Sequence, residues 1–545
     1  MSADASPYRA LAEALEGVAS SRGKLAKIER LAGALAPLEG LELAAAARLL
    51  SGNPYAEWEQ AVTSVGWATL ARAAAAVTGW DLETIGSSAR AIGDLGEAIG
   101  LLVPPEPAGS TLSILDVDAG LRSLSGSRKA AEKQARIEEL LRRASPVEAK
   151  YLAKTLSGGL RVGAEITTVE EAIAAAFRAD RDAVARAHRD SGDIGETAAA
   201  AREGRLDAIR FRLFHPIGFM LASPIDDPEE IAAELPLDAV ENKFDGIRAH
   251  AHKSGSRVAL FSRTLDDVTA QFPEIALALA QAPGQFLLDG EIVAWRENRV
   301  DSFFKLQRRL GRKAPPPELL AEIPVTFVAY DCLATGETPL FERPWRERRA
   351  ELERIAAAGG GFVLSEVFHA ADAGSLETLF IQARERGNEG LMLKREDSPY
   401  QAGKRGRAWR KWKKALATLD VVVTAVEQGN GKRAGMLSDY TFAVRDGDRL
   451  VNIGKAYSGL TDEEIRTMGN RFRKITVARY GPVRAVAPEV VIEVAFDTIQ
   501  KSTRHKSGYA LRFPRIVRIR EDKRPEEADT VETVEKIWKG IQGIR

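Results

Sequence analysis

Apolar residues return at helical spacing through the first 205 positions, as in Leu11, Ala14, Leu15 and Val18. Alanine and leucine dominate this stretch, and Asn53-Pro54, Gly79, Pro104-Pro105 and Gly158-Gly159 punctuate it. The pattern predicts an all-α region over 1–205, broken at those points. Glu196 to Phe214 is polar and helix-prone, and reads as a linker into a different architecture. From Pro216 the pattern changes. Short β-branched and aromatic runs at Arg257–Ser262, Gln285–Trp295, Val325–Leu333 and Gly390–Lys394 predict strands. Helices are predicted at Asp267–Leu279, Arg346–Ala356 and Ser375–Arg386. This alternation points to an α+β or mixed antiparallel core over 206–415. From Thr418 onward, Leu419–Val426, Tyr440–Val444, Arg449–Ile453 and Val490–Phe496 read as strands, with a helix at Asp462–Ile475 and an Asp446-Gly447 hairpin turn. Five or so short strands with one helix suit a small barrel of the oligonucleotide-binding (OB) type over 416–545.

Reactive chemistry is concentrated in Glu241-Asn242-Lys243-Phe244-Asp245-Gly246-Ile247-Arg248. Val240 before it and Ile247, Ala249 and Ala251 after it read as strand residues. Asp245-Gly246 is turn chemistry, since glycine accepts positive φ at no steric cost. Lys243 is therefore expected where a strand runs into a tight loop. A lysine becomes a nucleophile only when its amine sheds a proton, which nearby positive charge or burial favours. Arg248 could supply that charge, or hold a phosphate.

Further polar residues fall at predicted strand ends: Ser262-Arg263, Asp289-Gly290-Glu291, Tyr330-Asp331 and Asn388-Glu389. In Trp409-Arg410-Lys411-Trp412-Lys413, alternation points Lys411 and Lys413 to one face and Trp412 to the other. Two isolated acids, several cations, an aromatic and a reactive lysine describe a nucleoside triphosphate site. Cations balance phosphate charge, acids hold a divalent metal through hard oxygens, and the aromatic stacks on the base. Singly, each piece has a plainer reading: Glu291 or Glu389 as an ion-paired acid, Tyr330 as a core aromatic, Lys404–Lys414 as a solvated face. In the helical region, Ser127-Arg128-Lys129 opens a helix whose amino-terminal end favours an anion. Leu160-Arg161-Val162-Gly163 follows Ser157-Gly158-Gly159 and is open to two readings, a backbone contact to phosphate or a helix C-cap.

Composition narrows the classes. A net charge of +0 over 545 residues argues against coating nucleic acid through bulk charge, and leaves local patches at Lys404–Lys414 and Arg504–Arg524. The one cysteine, Cys332, excludes a disulfide framework and a four-cysteine zinc site. Met1 to Gly17 has no basic segment followed by an apolar one, and no run of about 18 apolar residues occurs. The expectation is a soluble, cytoplasmic protein working at the nucleoid, with no membrane association.

In order and spacing, these pieces resemble the covalent nucleotidyltransferase superfamily and, within it, the ATP-dependent DNA ligases. Lys243-Phe244-Asp245-Gly246-Ile247-Arg248 resembles the family's first motif, and Phe261-Ser262-Arg263 the arginine motif after it. Asp289-Gly290-Glu291 and Val328-Ala329-Tyr330-Asp331 are similar to the third motif and its aromatic companion. Glu389-Gly390-Leu391-Met392-Leu393-Lys394 is similar to the fourth, and Trp409-Arg410-Lys411-Trp412-Lys413 to the fifth. Arg512-Phe513-Pro514-Arg515-Ile516-Val517-Arg518-Ile519-Arg520-Glu521-Asp522-Lys523 resembles the sixth in the form DNA ligases use. Lys432-Arg433-Ala434-Gly435 resembles a ligase segment early in the barrel, and Leu160-Arg161-Val162-Gly163 one in the family's helical DNA-binding domain. The resemblance runs from about Pro216 to Lys523. Tyr330 stands where many members have phenylalanine.

The resemblance implies a helical DNA-binding domain, an adenylation domain of ATP-grasp-like antiparallel sheets and a C-terminal OB barrel. It implies ATP as substrate, Mg2+ or Mn2+ as cofactor, nicked duplex DNA as partner, and a monomer serving repair, recombination or replication. Lys243 is implied to take AMP from ATP. Glu241 would read the adenine, and Tyr330 would stack on it. Arg248 and Arg263 would hold ribose or phosphate and later the nick. Glu291 and Glu389 would serve the ribose and the metal, while Arg405, Lys411 and Lys413 balance phosphate charge. Arg515, Arg518, Asp522 and Lys523 would orient pyrophosphate, and Arg161 and Gly163 would contact DNA. The rivals are an mRNA guanylyltransferase, an RNA ligase, an NAD-dependent ligase and a catalytically inactive DNA-binding scaffold. The length of the helical front end, the Arg-Phe-Pro-Arg form and the single cysteine weigh against the first and third, and Lys243 with its partners against the last.

Overall fold

The computed structural model describes residues 6–542 apart from 105–111, 128, 226, 298, 302, 313, 414–416, 430–432 and 434. Of the positions singled out above, Pro105, Arg128, Lys414, Lys432 and Ala434 lie outside the described residues. The chain packs as two compact units, Met1–Trp412 and Lys413–Arg545.

In the first unit, helices run from Tyr8–Ser20 to Ile194–Arg202 and share one apolar core. The first helix buries Leu11, Leu15 and Val18 on one face, while Ala14 is half-buried at its edge. The helix Ile194–Arg202 belongs to the same core through Ile194, Ala198 and Ala201. This corrects the linker reading of Glu196–Phe214 for residues 196–202, while 203–214 are turns and irregular chain. The alanines from 198 to 201 form an apolar face that the flanking charges obscure in the sequence. Gly158-Gly159 ends the helix Pro146–Leu156, with Gly158 left-handed (φ 87°) and the Gly159 N–H donating to the Lys154 carbonyl at 3.1 Å.

Beyond residue 220 the chain builds two sheets. One has the order Leu221–Ile225, Arg405–Trp412, Gly390–Arg395, Asp238–Lys243, Val367–Phe368. The other runs Arg257–Ser262, Ile247–Ser254, Phe286–Arg296, Val325–Thr335, Thr338–Pro339. The chain passes from the first sheet to the second over Phe244-Asp245-Gly246, directly after Lys243. A core of Met220, Ala239, Leu287, Tyr330, Leu333, Trp345, Tyr400 and Trp409 includes side chains of both sheets. The helix expected at Asp267–Leu279 begins only at Pro273 and runs to Gln281. Proline is suited to the first helical position, where no N–H is needed, and the preceding residues form turns instead.

Gly246 is needed for a reason other than the one expected. It does not adopt positive φ. A Cβ there would meet the Ile292 carbonyl oxygen and lie 2.7 Å from Glu291 Cγ. The crossover is thus packed against the Phe286–Arg296 strand so closely that only hydrogen fits. Gly290 answers the same need: its Cβ would lie 2.5 Å from both Phe327 Cζ and the Val328 oxygen.

The C-terminal unit is a strand domain around a core that includes Leu419, Val421, Tyr440, Phe442, Ile492 and Val494. Ala417–Gln428 is shared along its length. Its first half pairs with Val491–Phe496 and its second with Val483–Val486, which curls the sheet as an OB barrel requires. Leu437–Asp446 and Arg449–Ala456 form the expected hairpin, closed by Gly447-Asp448 with Gly447 left-handed (φ 60°). The sequence reading did not include the hairpin Thr498–Lys501/Tyr509–Arg512 or the helix Val531–Gln542.

Candidate active site

Lys243 is the last residue of its strand and is paired with Gly390, and its carbonyl accepts from the Glu389 N–H at 2.8 Å. The two strands thereby bring the Lys243 ammonium against the Glu389 carboxylate, and its Nζ donates to Glu389 Oε2 with both side chains about one-fifth exposed, 21% and 22%. Arg248 lies on the second sheet, paired with Glu291. Its guanidinium does not face Lys243. Nε and Nη2 donate to the buried Asp289 at 3.1 and 2.6 Å, and Nη1 donates to the Met220 carbonyl at 2.6 Å. The charge beside the lysine is therefore a carboxylate, and of the two uses open to Arg248 in the sequence, supplying charge to Lys243 is not seen.

These strands border a cleft of about 180 Å3. It is lined by Glu241, Lys243, Arg248, Arg263, Glu291, Tyr330, Arg405 and Lys411. Of the residues carried over as nucleotide-binding, only Lys413 is elsewhere. It lies in the C-terminal unit, where its Nζ donates to Asp497 Oδ2 at 2.5 Å. Lys411 lines the cleft and Trp412 packs on Phe380 with ring centroids 4.6 Å apart, so the alternation expected of this strand holds for that pair. Part of the cationic run is neutralised within the fold, since Arg410 is buried and donates to Glu234 at 3.1 Å and to Asp238.

The cleft also contains residues that the sequence reading did not assign. Lys394 is 1% exposed, its Nζ 2.5 Å from Glu241 Oε2, donating to the Tyr330 carbonyl at 3.2 Å. It lies over the Tyr330 and Trp409 rings at 4.3 and 4.4 Å. Glu241 also accepts from Ser365 Oγ at 2.9 Å and from Arg349 at 3.4 Å, so its carboxylate is fixed at the cleft wall. Tyr330 is buried, packs edge-to-face with Trp409 and lines the cleft. The signal for Lys394 was present in the sequence as the basic end of an apolar strand, but its partners lie on other strands.

The carboxylates of the site titrate in opposite directions. Burial opposes ionisation of Asp289, yet Arg248 and His250 hold it well below the usual carboxylate range. Burial pushes Glu291 up to about 8, with Glu389 and Asp289 adding repulsion against the pull of Lys243 and Arg248. A carboxyl whose pKa is raised on folding favours the folded state while protonated. That contribution is complete below the unfolded value near 4.5 and is lost as pH rises towards 8. Glu291→Gln should therefore gain melting temperature relative to wild type as pH is raised from 5 to 8.5. A difference that does not change with pH would contradict the raised value.

Glu291 and Glu389 suit a divalent cation. They are hard oxygen donors, and Glu291 bears the cost of charge without a full counter-charge. Among the described residues no group of three or more His, Cys, Asp or Glu side chains forms a protein-only metal cage. Mg2+ is commonly held by one or two carboxylates together with substrate phosphate.

In the C-terminal unit, the strand Arg515–Ile519 pairs with Val491–Phe496. Arg518 donates to Glu493 at 2.6 Å, Lys523 to Asp420 at 2.6 Å, and Asp522 accepts from Arg520 at 2.9 and 2.7 Å. Arg520, not assigned from sequence, links Asp522 and Asp420. In the helical region Arg161 has positive φ (53°) and lies 3.3 Å from Asp94, and Lys27 donates to the Gly163 carbonyl at 2.7 Å.

The chain matches three family models in order: the DNA ligase N terminus over residues 7–174, the ATP dependent DNA ligase domain over 219–413, and the ATP dependent DNA ligase C terminal region over 433–523. A probable DNA ligase of Koribacter versatilis is 44% identical across 97% of this chain and 96% of its own length. The chain belongs to the ATP-dependent DNA ligase family. A DNA ligase of Methanoculleus marisnigri is 36% identical over 96% of both chains. The solved structure named Pmar-Lig_Pre superposes with a TM-score of 0.62 at 16% identity, covering 94% of this chain and 99% of that one, and so shares the fold. Sealing nicks in DNA with ATP is the family's activity. The N-terminal model extends the relationship into the first hundred residues, where sequence reading had not followed it. Among the described residues, no helix is long and apolar enough to cross a membrane.

Proposed function

We propose that the chain joins the 5′-phosphate and 3′-hydroxyl of a nick in duplex DNA by way of AMP carried on Lys243. The observation that carries this is the placement of Lys243 at the crossover between two sheets, at the wall of a cleft that also presents Arg248, Arg263, Arg405 and Lys411. ATP is a substrate here. The Lys243 amine attacks the α-phosphorus, a P–N bond forms, and the bond to pyrophosphate breaks. The adenylate then passes to the 5′-phosphate, and the 3′-hydroxyl displaces AMP. Phosphoryl transfer of this kind depends mainly on positioning and charge stabilisation, which the cleft's cations supply.

Glu241, clamped by Lys394, Arg349 and Ser365, is rigid enough to read a base edge. Tyr330 offers the adenine an aromatic edge or face. Arg248 and Arg263 serve ribose and phosphate, while Arg405 and Lys411 balance phosphate charge. An ion pair with Glu389 holds the Lys243 amine in place. Mg2+ or Mn2+ bound to Glu291 and Glu389 would neutralise both carboxylates and weaken that pair. Arg515, Arg518, Asp522 and Lys523 are assigned to the pyrophosphate, and Arg161 and Gly163 to the DNA backbone. The protein is proposed to act as a monomer in the cytoplasm, on the nucleoid.

The test is sealing of a nicked duplex with ATP, GTP or NAD in parallel. Sealing with ATP alone is expected. Sealing with NAD or GTP in place of ATP, or sealing confined to RNA, would overturn the reading.

A further inference from the structure

Between the turn Glu57–Glu59 and the helix Trp67–Thr78 of the helical region runs a loop with two non-glycine residues in the left-handed conformation, Gln60 (φ 50°) and Ser64 (φ 47°). Such residues are costly and persist only where the surroundings over-determine them. Arg122 donates to Glu59 at 3.1 and 2.7 Å and to the Pro54 carbonyl at 2.8 Å. The buried Lys133 donates to the Thr63 and Ser64 carbonyls at 2.7 and 3.3 Å. Two cations from two other helices thus brace a loop that would otherwise relax.

The braced loop presents Gln60 to the turn that follows the strand Arg257–Ser262. The Gln60 Nε2 donates to the Leu265 carbonyl at 2.8 Å, and its Oε1 accepts from the Asp267 N–H at 2.7 Å. One amide therefore satisfies a backbone acceptor and a backbone donor two residues apart. Leu265 is itself left-handed (φ 67°). Within the turn, the Leu265 N–H donates to the Ser262 carbonyl at 2.8 Å and the Ser262 N–H to the Asp266 carbonyl at 2.9 Å. The residue inside this turn is Arg263. It is exposed, lines the nucleotide cleft, and makes no hydrogen bond or ion pair with any described residue. With no side-chain partner to fix it, its position is set by the backbone of the turn, and the backbone is pinned from the helical region by Gln60.

We infer that Gln60 is a positioning residue that ties the helical region to the nucleotide cleft by holding the Arg263 turn. The inference rests on the reading above that Arg263 serves the nucleotide or nick. A rigid element in the helical region then decides whether this exposed arginine of the cleft is in place, so that only a molecule with both parts engaged has a complete site.

The test is a double-mutant cycle in the full chain, read as the single-turnover sealing rate at saturating nick and as nick affinity. Gln60→Ala should lower the rate ~10-fold with little change in affinity, a loss of the size expected from a small misplacement. Gln60→Glu should do the same or worse, because it sets a carboxylate oxygen against the Leu265 carbonyl. In the Arg263→Ala background neither change should lower the rate further. A wild-type rate for both Gln60 variants, or losses that multiply with that of Arg263→Ala, would overturn the positioning role. If Arg263→Ala itself seals at the wild-type rate, the reading of Arg263 has failed, and the inference with it. Gln60 is exposed, and melting temperatures of the variants separate any folding loss from a positioning one.

Discussion

Lys243→Ala is expected to abolish covalent adenylation, with a fall of at least about 10⁴-fold, since loss of a nucleophile leaves only what binding and charge stabilisation provide. The case needs geometry, because the cleft holds a second lysine. Lys394 is the more buried, and burial pushes its amine down against the opposing pull of Glu241 and Asp331. A lowered amine pKa is what a nucleophile needs, which makes Lys394 a second candidate. Its surroundings argue otherwise. It is 1% exposed and held by Glu241, the Tyr330 carbonyl and two aromatic rings, so its amine is committed to partners in the cleft wall. Lys243 is partly exposed, stands at a strand end and has one carboxylate partner. Lys394→Ala should therefore adenylate slowly, since Glu241 loses its anchor, and should still form the adduct.

Lys523→Ala is expected to slow self-adenylation by roughly 100-fold, the order seen when one stabilising cation is removed, and sealing of pre-adenylated nicked DNA by much less. Lys523 sits in a network with Asp420, Arg520 and Asp522, in which Arg520 donates to Asp420 at 2.9 and 3.0 Å. Asp522 is held well below the usual carboxylate range, first by the Arg520 hydrogen bond. The network is anionic enough to store both cations without substrate. A pyrophosphate competes for them only in the step that releases it, so the two steps should separate. Equal losses in both would assign Lys523 to the fold or to DNA.

Many of the strands were legible because each is a short apolar run between turns. The Lys243 strand, the Arg257–Ser262 strand and the helices near 346–356 and 375–386 fall within a residue or two of expectation. Most of the cleft was legible too, since its residues stand at strand ends, where alternation predicts direction. What escaped depends on neighbours remote in sequence. Nothing local says that Arg248 turns to Asp289 and leaves Lys243 to Glu389, or that Gly246 serves close packing and not positive φ. Lys394 looks like the end of a strand until Glu241 and Tyr330 are set beside it. Gln60 lies 205 residues from Leu265, in a stretch without periodicity, and its role exists only once the two regions are folded together.

Mapping the adduct tests the central claim most directly. The full chain is incubated with α-labelled ATP and a divalent cation, digested, and the modified peptide sequenced. AMP should be found on the Lys243 side chain through a phosphoramidate bond. AMP on Lys394, or a label that leaves with denaturation, would contradict it.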